Sequence, residues 1–431
     1  MKRKVLLFIL MTTCMTLFTY FISNLSLDEI WNYGFSYNIA KGAIPYRDFN
    51  IVVMPFYSLI MAIPLKIIGN NLFIFHLSNA ILISSILTLI DDGKSLNSIC
   101  ICLYIMILYQ VYGYNCFIMI LLILVLYLEN SKHKYKSEII GLLLGCILAT
   151  KQNIGAVLFI PYIINSKQKI KSVYFYLIPI TLIIIYLILN NNLMECIDYC
   201  FLGLGNFKDN FYIASSILII ILLIIIIYLI NKYRKTKDIN YLYLLFFQII
   251  NYPLIELYHF LVGVIPIVYY LLIKENNKYI NLVLYIFPII FCLHSIITIK
   301  PVFSDINIYK YRNVGNNSDD RCKEIMSFIN TNNDSKVFIF TGYSYFIKIG
   351  LNEKIDKYDL INIGNMGSKE EKYITDIEKM CKNKNCIFIM NKDQFNVYRS
   401  QLNPIIKDYV LTNYDYCGKV ATNQSYYCKK K

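Results

Sequence analysis

Charge is the scarcest property of this chain. Only 16% of its 431 residues are Asp, Glu, Lys or Arg, while 57% are hydrophobic; soluble proteins average about 25% charged. That deficit excludes an ordinary water-soluble globule. Histidine is also rare, with four in all, and no cysteine or histidine falls at the spacing of a structural zinc site. No Asp-x-Asp occurs, which favours chemistry without a resident cofactor and leaves a divalent metal open. There is no heptad run and no internal repeat. The first apolar run ends in Tyr20-Phe21-Ile22-Ser23-Asn24, without a small-x-small cleavage site, so it reads as an uncleaved first helix with its N-terminus in the cytoplasm.

What is abundant is apolar sequence. Residues 5–22, 72–90, 173–189, 213–230 and 279–299 approach or reach the roughly 18–20 residues that cross a hydrocarbon core. Shorter runs at 51–68, 98–112, 116–128, 139–149, 153–164, 241–255 and 259–273 add further helices. The net charge of +14 does not signal nucleic acid, because its basic residues stand in short clusters between the apolar runs. Lys2–Lys4, Lys132–Lys136, Lys167–Lys171, Lys232–Lys237 and Lys274 with Lys278 mark cytoplasmic loops by the positive-inside rule. Between residues 51 and 138 this rule and the helix count disagree by one crossing, so one short segment there is expected not to span.

The composition changes at Lys300, where Asn, Asp and Lys become frequent. Residues 1–299 are expected to form the membrane domain, with a first outer loop at 24–50. Residues 300–431 are expected to form a separate domain on the same outer side. Asp319 to Asn330 and Glu370 to Lys382 read as helices; Lys336 to Thr341 and Cys386 to Met390 read as buried strands. The predicted fold is mainly α: a polytopic transmembrane helical bundle of about 11–13 spans with first-loop juxtamembrane helices, and a small extracytoplasmic α/β C-terminal domain. The close pairs Cys381/Cys386 and Cys417/Cys428 can be disulfides in an oxidising exterior, or simply small apolar residues.

The first outer loop carries the chemistry. Asp28 and Glu29 are adjacent, so on a helix they point about 100° apart; one can face a cavity while the other bonds locally. The plainer alternative is a solvated acid pair at a helix start, with Ser26 and Glu29 as a capping box. Trp31, Tyr33, Phe35 and Tyr37 suit a segment lying along the headgroups. Gly42 and Pro45 then allow a turn returning Tyr46, Arg47 and Asp48 to the membrane edge. Lys151 interrupts an apolar stretch, where a charge is costly enough to point to function, although a lysine snorkelling from a helix end explains it too. Arg47 offers a forked cation, unless it merely pairs with Asp48. His259 stands at a helix boundary beside Glu256 and Tyr258. The loop at 190–212 adds Glu195, Asp198 and Asp209 without a specific pattern.

Together these residues resemble a family. Asp28-Glu29, then Ala40-Lys41-Gly42, Pro45-Tyr46-Arg47-Asp48-Phe49 and Pro55 are similar to the opening of multispanning glycosyltransferases of the GT-C type, which include protein mannosyltransferases and bacterial aminoarabinose transferases. Residues 141–155, GLLLGCILATKQNIG, resemble that family's glycine-rich helix ending in Thr-Lys-Gln. Tyr258-His259 with Pro266 resemble a late helix of the same family. The resemblance implies an inverting membrane glycosyltransferase that moves a sugar from a polyprenyl-phosphate donor to an acceptor on the outer face. It implies Asp28 as general base, Glu29 as supporting acid and Asp48 as a second acid. Arg47, Tyr46, Lys151, Gln152, Tyr258 and His259 would then bind substrate. The acceptor (protein, lipid or cell-wall glycan) stays open. The rival readings are a transporter or flippase of lipid-linked sugars, a polysaccharide ligase, and a membrane-anchored sensor. The absence of a two-fold repeat speaks against the transporter.

Overall fold

The computed structural model describes residues 2–21, 27–91, 93, 95–108, 112–203, 212–213, 215–252, 254–274, 278–298, 318–341, 344–361, 365–390, 403–421 and 424–429. Its elements begin with α1 (Lys2–Phe21), α2 (Leu27–Ala40), α3 (Phe56–Ile67), α4 (Leu72–Leu89) and α5 (Ser95–Ile107). They continue through α6 (Tyr114–Glu129), α7 (Lys136–Leu148), α8 (Gln152–Asn165) and α9 (Lys169–Leu189). A short α10 (Leu193–Ile197) runs into a π turn at Asp198–Leu202. Then come β1 (Tyr212–Ile213), α11 (Ser216–Thr236), α12 (Asn240–Phe247), β2 (Leu254–Ile255), α13 (Leu257–Lys274) and α14 (Lys278–Thr298). The tail contributes α15 (Ser318–Thr331), β3 (Lys336–Phe340), α16 (Ser344–Gly350) and α17 (Glu371–Asn383). It ends with β4 (Cys386–Met390), α18 (Pro404–Asn413), β5 (Tyr414–Ala421) and β6 (Gln424–Lys429).

These elements form two compact units that do not follow the chain in order. The first comprises Met1–Asn24, Met54–Tyr186 and Phe211–Tyr309; the second comprises Leu25–Val53, Leu187–Asn210 and Lys310–Lys431. The first loop is therefore counted with the tail, not with the membrane helices that flank it in sequence.

The first unit is a bundle of transmembrane helices. Among the described residues five helices are long and apolar enough to cross a membrane: α4, α9, α11, α13 and most of α14. Shorter apolar helices, including α3, α5, α6 and α8, accompany them. α6 is apolar on all sides and every residue from Phe117 to Leu126 is buried, so it lies at the centre of the bundle. α11 and α14 are the opposite case, with most of their apolar surface exposed, as expected of helices that face lipid. Arg3 on α1 pairs with Asp91, just past the end of α4, at 2.5 Å, and Lys4 reaches the carbonyl of Leu89. The start of α1 and the end of α4 thus lie on one side. The 12 residues of α3 span only about 18 Å of a core about 30 Å thick. In α8, a Cβ at Gly155 would lie 2.2 Å from Leu148 Cα and 2.4 Å from Leu148 N. Glycine there lets α8 start directly against the end of α7, the close backbone contact that small residues give membrane helices.

The second unit is built around a four-stranded sheet of order β3-β4-β6-β5. β3 and β4 run parallel; β6 is antiparallel to both β4 and β5. The two-residue period of a strand sorts the side chains. Phe338, Phe340, Phe388 and Met390 face one core with Ile377, Ile406 and Val410. Val337, Ile339, Ile387 and Ile389 face a second core with Ile325 and Ile347. Phe338 stacks on Phe388 at 4.9 Å. Each such buried side chain contributes about 1.5–3 kcal/mol. Disulfides join Cys381 to Cys386 and Cys417 to Cys428, and Cys322 is buried outside both pairs.

Candidate active site

In the second unit, α2 carries Asp28 and Glu29 in its first turn, where carboxylates interact favourably with the helix dipole. The 100° step separates them as expected: Asp28 is half-buried, whereas Glu29 is buried. Asp28 also accepts a hydrogen bond on its backbone carbonyl from Asn32 Nδ2 at 2.7 Å. Ser26, the expected cap, lies outside the described residues. Three of the four aromatic residues expected along the headgroups do not lie there; Trp31 is half-buried. Tyr33, Phe35 and Tyr37 are buried; Phe35 packs on Phe49 at 6.0 Å and edge-on to Tyr345 at 5.8 Å. α2 is an internal element of this unit, so its aromatic residues became core.

Three backbone bonds end α2, the last from Ala43 N–H to the Asn38 carbonyl at 2.9 Å. Gly42 turns the chain at φ +80°. The following loop closes on itself. Tyr46 N–H donates to the Phe49 carbonyl, Asp48 N–H to the Ile44 carbonyl, and Asp48 Oδ2 accepts the Ile44 N–H at 2.7 Å. Arg47 grips the same carboxylate with a fork, Nε to Oδ1 at 2.9 Å and Nη2 to Oδ2 at 3.1 Å. Burial pushes the Asp48 carboxyl up, but the Arg47 bonds, the Ile44 N–H and the charge of Lys354 outweigh it, and the group is held below its ordinary range. An acid held ionised is a poor proton donor near neutral pH. Asp48 thus clasps the loop together, and Arg47 is paired with it. Tyr46, expected to touch substrate, is buried at φ +66°. Its hydroxyl donates to the Val53 carbonyl at 2.7 Å and meets Cys200 Sγ at 3.3 Å. It is a strut inside the unit. Asn192 Nδ2 donates to the Pro45 carbonyl, and Asp198 is engaged by the backbone and hydroxyl of Ser368. Asp209 lies outside the described residues.

In the first unit a second group assembles where four helix ends meet. Lys151 is the residue before α8 and is half-buried. Its Nζ donates to Asn115 Oδ1 at 2.9 Å and sits 5.5 Å from the centre of the Tyr114 ring. Asn115 is buried in the first turn of α6. Its amide nitrogen lies 3.4 Å from His259 Nε2, and His259 Nδ1 lies 2.8 Å from Glu256 Oε1. One assignment satisfies every member. His259 donates from Nδ1 to Glu256 and accepts at Nε2 from the Asn115 NH2, which turns the Asn115 oxygen towards Lys151. Tyr258 packs edge-on to His259 at 5.3 Å. The chain Glu256–His259–Asn115–Lys151 therefore fixes an ammonium at the mouth of a helix bundle. Gln152 is the first residue of α8, directly after it. Asn115 was not singled out in the sequence; its one signal is a polar residue at the start of the most continuously apolar helix.

Thus the structure brings Lys151, Tyr258 and His259 into one cluster, and brings Tyr46, Arg47 and Asp48 into one turn that follows the helix bearing Asp28 and Glu29. Among the described residues no three His, Cys, Asp or Glu side chains converge as a metal set would.

Neither a protein-family model nor any curated protein sequence matches this chain. Solved structures do match it. The crystal structure of ArnT from Cupriavidus metallidurans in the apo state is similar with a TM-score of 0.58 and 10% sequence identity, over 98% of this chain and 97% of that one. Over nearly its whole length the chain shares the fold of that structure.

Proposed function

We propose that this protein is a membrane glycosyltransferase of the GT-C type, acting on a lipid-linked sugar donor. A polyprenyl phosphate would carry the sugar, and the acceptor would meet it at the outer face. The support comes from a fold shared end to end with ArnT on a chain whose first loop presents one half-exposed carboxylate beside a buried one. By the positive-inside rule the N-terminus would lie in the cytoplasm and the second unit outside.

In this reading the donor's isoprenoid lies among the membrane helices and its phosphate is held by the Lys151 ammonium, which acts as a point charge. Asp28 takes the proton of the acceptor hydroxyl. The hydroxyl oxygen then attacks the anomeric carbon opposite the phosphate, the bond from that carbon to the phosphate oxygen breaks, and its electron pair leaves with the polyprenyl phosphate. The product is inverted at that carbon. Glu29 supports Asp28 from the buried side. Asp48 and Arg47 shape the loop, and Arg47 adds positive charge near it.

The test is Asp28→Asn in purified protein given polyprenyl-phosphate sugars and cell-envelope acceptors. Loss of a general base lowers the rate by about 10²–10⁴-fold with an unchanged unfolding midpoint. Full transfer by the variant overturns the assignment of Asp28. Movement of the donor across vesicles without any transfer overturns the enzyme itself in favour of a transporter.

A further inference from the structure

Trp31 is the one tryptophan of the chain, and it has no part in the transfer described above. It lies on α2 three residues after Asp28, a spacing that puts two side chains on the same helix face with Cβ atoms about 5–6 Å apart. From Asp28 to Asn38 every other residue of α2 is buried, and these two alone are half-buried and reach the surface.

Further along the helix the same face is covered. Phe35 and Asn38 stand seven residues beyond Asp28 and Trp31, so they continue the same stripe. Phe35 packs edge-on to Tyr345 of α16 at 5.8 Å, and Asn38 bonds both peptide groups of Ile355. Within the second unit this face is therefore open at its first turn and roofed by the tail from Phe35 onward. Trp31 lies at the edge of that roof. Among the described residues its indole N–H has no hydrogen-bond partner and its ring meets no other ring or cation. A large amphipathic ring left so at a surface suits a partner that arrives from outside.

The carboxylate beside the indole narrows what that partner is. An acyl chain would cover the ring but strip water from Asp28 without replacing it. An anion would be repelled by Asp28, with Glu29 behind it. A pyranose satisfies both groups: its C–H face lies on the indole, and its rim hydroxyls donate to the carboxylate. We infer that Trp31 is the platform for a pyranose ring of the acceptor, one hydroxyl of which is held at the Asp28 carboxylate, so that the acceptor is a glycan. This rests on Asp28 acting as the general base, and the hydroxyl held there is the one that loses its proton in the transfer described above.

A single tryptophan makes the test direct, because red-edge excitation of the full chain reports Trp31 alone. In detergent and without donor, oligosaccharides released from the cell envelope change its emission saturably; polyprenyl phosphate and tetramethylammonium do not. In the transfer assay Trp31→Leu, with the wild-type unfolding midpoint, raises the KM for the oligosaccharide about ten-fold, which is ~1.4 kcal/mol, and keeps kcat within about two-fold. Trp31→Tyr keeps a ring and recovers most of that loss. The wild-type titration decides the matter even where the leucine variant does not fold. Transfer by a wild type whose emission ignores every oligosaccharide overturns the platform and spares the enzyme. Saturable binding without any transfer overturns the enzyme and spares the glycan platform. A response confined to a polyprenyl-phosphate sugar overturns the acceptor as occupant, and an equal response to tetramethylammonium overturns the sugar. In lipid nanodiscs, quenching by brominated lipid with no response to oligosaccharide overturns the platform in favour of the headgroups.

Discussion

One buried amide helps to pin the helix that carries Asp28 to the tail, and removing that amide should loosen the second unit. Asn38 is fully buried on α2. Its Oδ1 accepts the Ile355 N–H at 2.9 Å and its Nδ2 donates to the Ile355 carbonyl at 2.7 Å. Both peptide groups of one buried tail residue are thereby satisfied by one side chain. Asn38→Leu keeps the size and removes both bonds, leaving the Ile355 N–H and carbonyl buried without them. Each abandoned group costs about 1–3 kcal/mol, so the variant should lose about 2–5 kcal/mol, or a midpoint drop on the order of 5–15 °C. The assay is thermal unfolding of the purified protein in detergent, with limited proteolysis between Leu351 and Leu360 as a local readout. An Asn38→Leu midpoint within a degree of wild type would refute the argument that this amide joins the first loop to the tail.

Other outcomes follow from the same geometry. The Asp48 carboxyl is held below its unfolded value; its stabilising contribution is complete above about pH 4 and is lost as pH falls through the lower folded value. Asp48→Asn should therefore flatten the acid limb of a stability curve below about pH 4, and superimposable limbs would contradict the clasp. Gly155→Ala drives a Cβ against the Leu148 backbone and should cost at least about 1–3 kcal/mol, read by unfolding in detergent; an unchanged midpoint would show that α7 and α8 are not packed this tightly. Non-reducing peptide mapping should recover the Cys381–Cys386 and Cys417–Cys428 pairs with Cys322 as a thiol. The Cys417→Ser, Cys428→Ser variant, which opens a separation of 11 residues, should lose about 2–3 kcal/mol.

The membrane class was legible because hydropathy is a property of segments and needs no tertiary information. The tail strands at Lys336–Phe340 and Cys386–Met390 were legible for the same reason, being short apolar runs bounded by polar residues. β5 and β6 were not. Along Tyr414–Ala421 only the two ends are buried, and the register shifts at Tyr416/Gly418 and Lys419/Ala421. A bulged edge strand has no clean alternation to read. In the first loop the acidic and aromatic residues stood out, but their partners lie some 300 positions away. A row of aromatics next to a membrane helix reads as interfacial unless the element that buries it is known. Tyr46 illustrates the cost of motif reading alone. It sits in the most recognisable string of the chain, yet its hydroxyl is spent on Val53 and Cys200.

Asparagine is abundant throughout, and its abundance resembles compositional background until burial is considered. Asn38, Asn50, Asn79, Asn115 and Asn192 are each at most 4% exposed, and each ties otherwise buried polar groups. Asn50 holds the carbonyls of Lys357 and Leu360. Asn79 accepts from the Tyr57 hydroxyl and donates to the Phe75 carbonyl. Asn192 holds Pro45, and Asn115 stands between Lys151 and His259. A neutral amide offers two donors and an acceptor without the desolvation penalty of a buried charge. In a chain so poor in charge, it is the cross-link that a buried backbone or a half-buried cation can use. Composition cannot say which asparagines do this, because the distinction lies in where they sit. Asn115 is the clearest case: in an apolar helix its side chain has no local reason to be polar, and its reason is the lysine it aims.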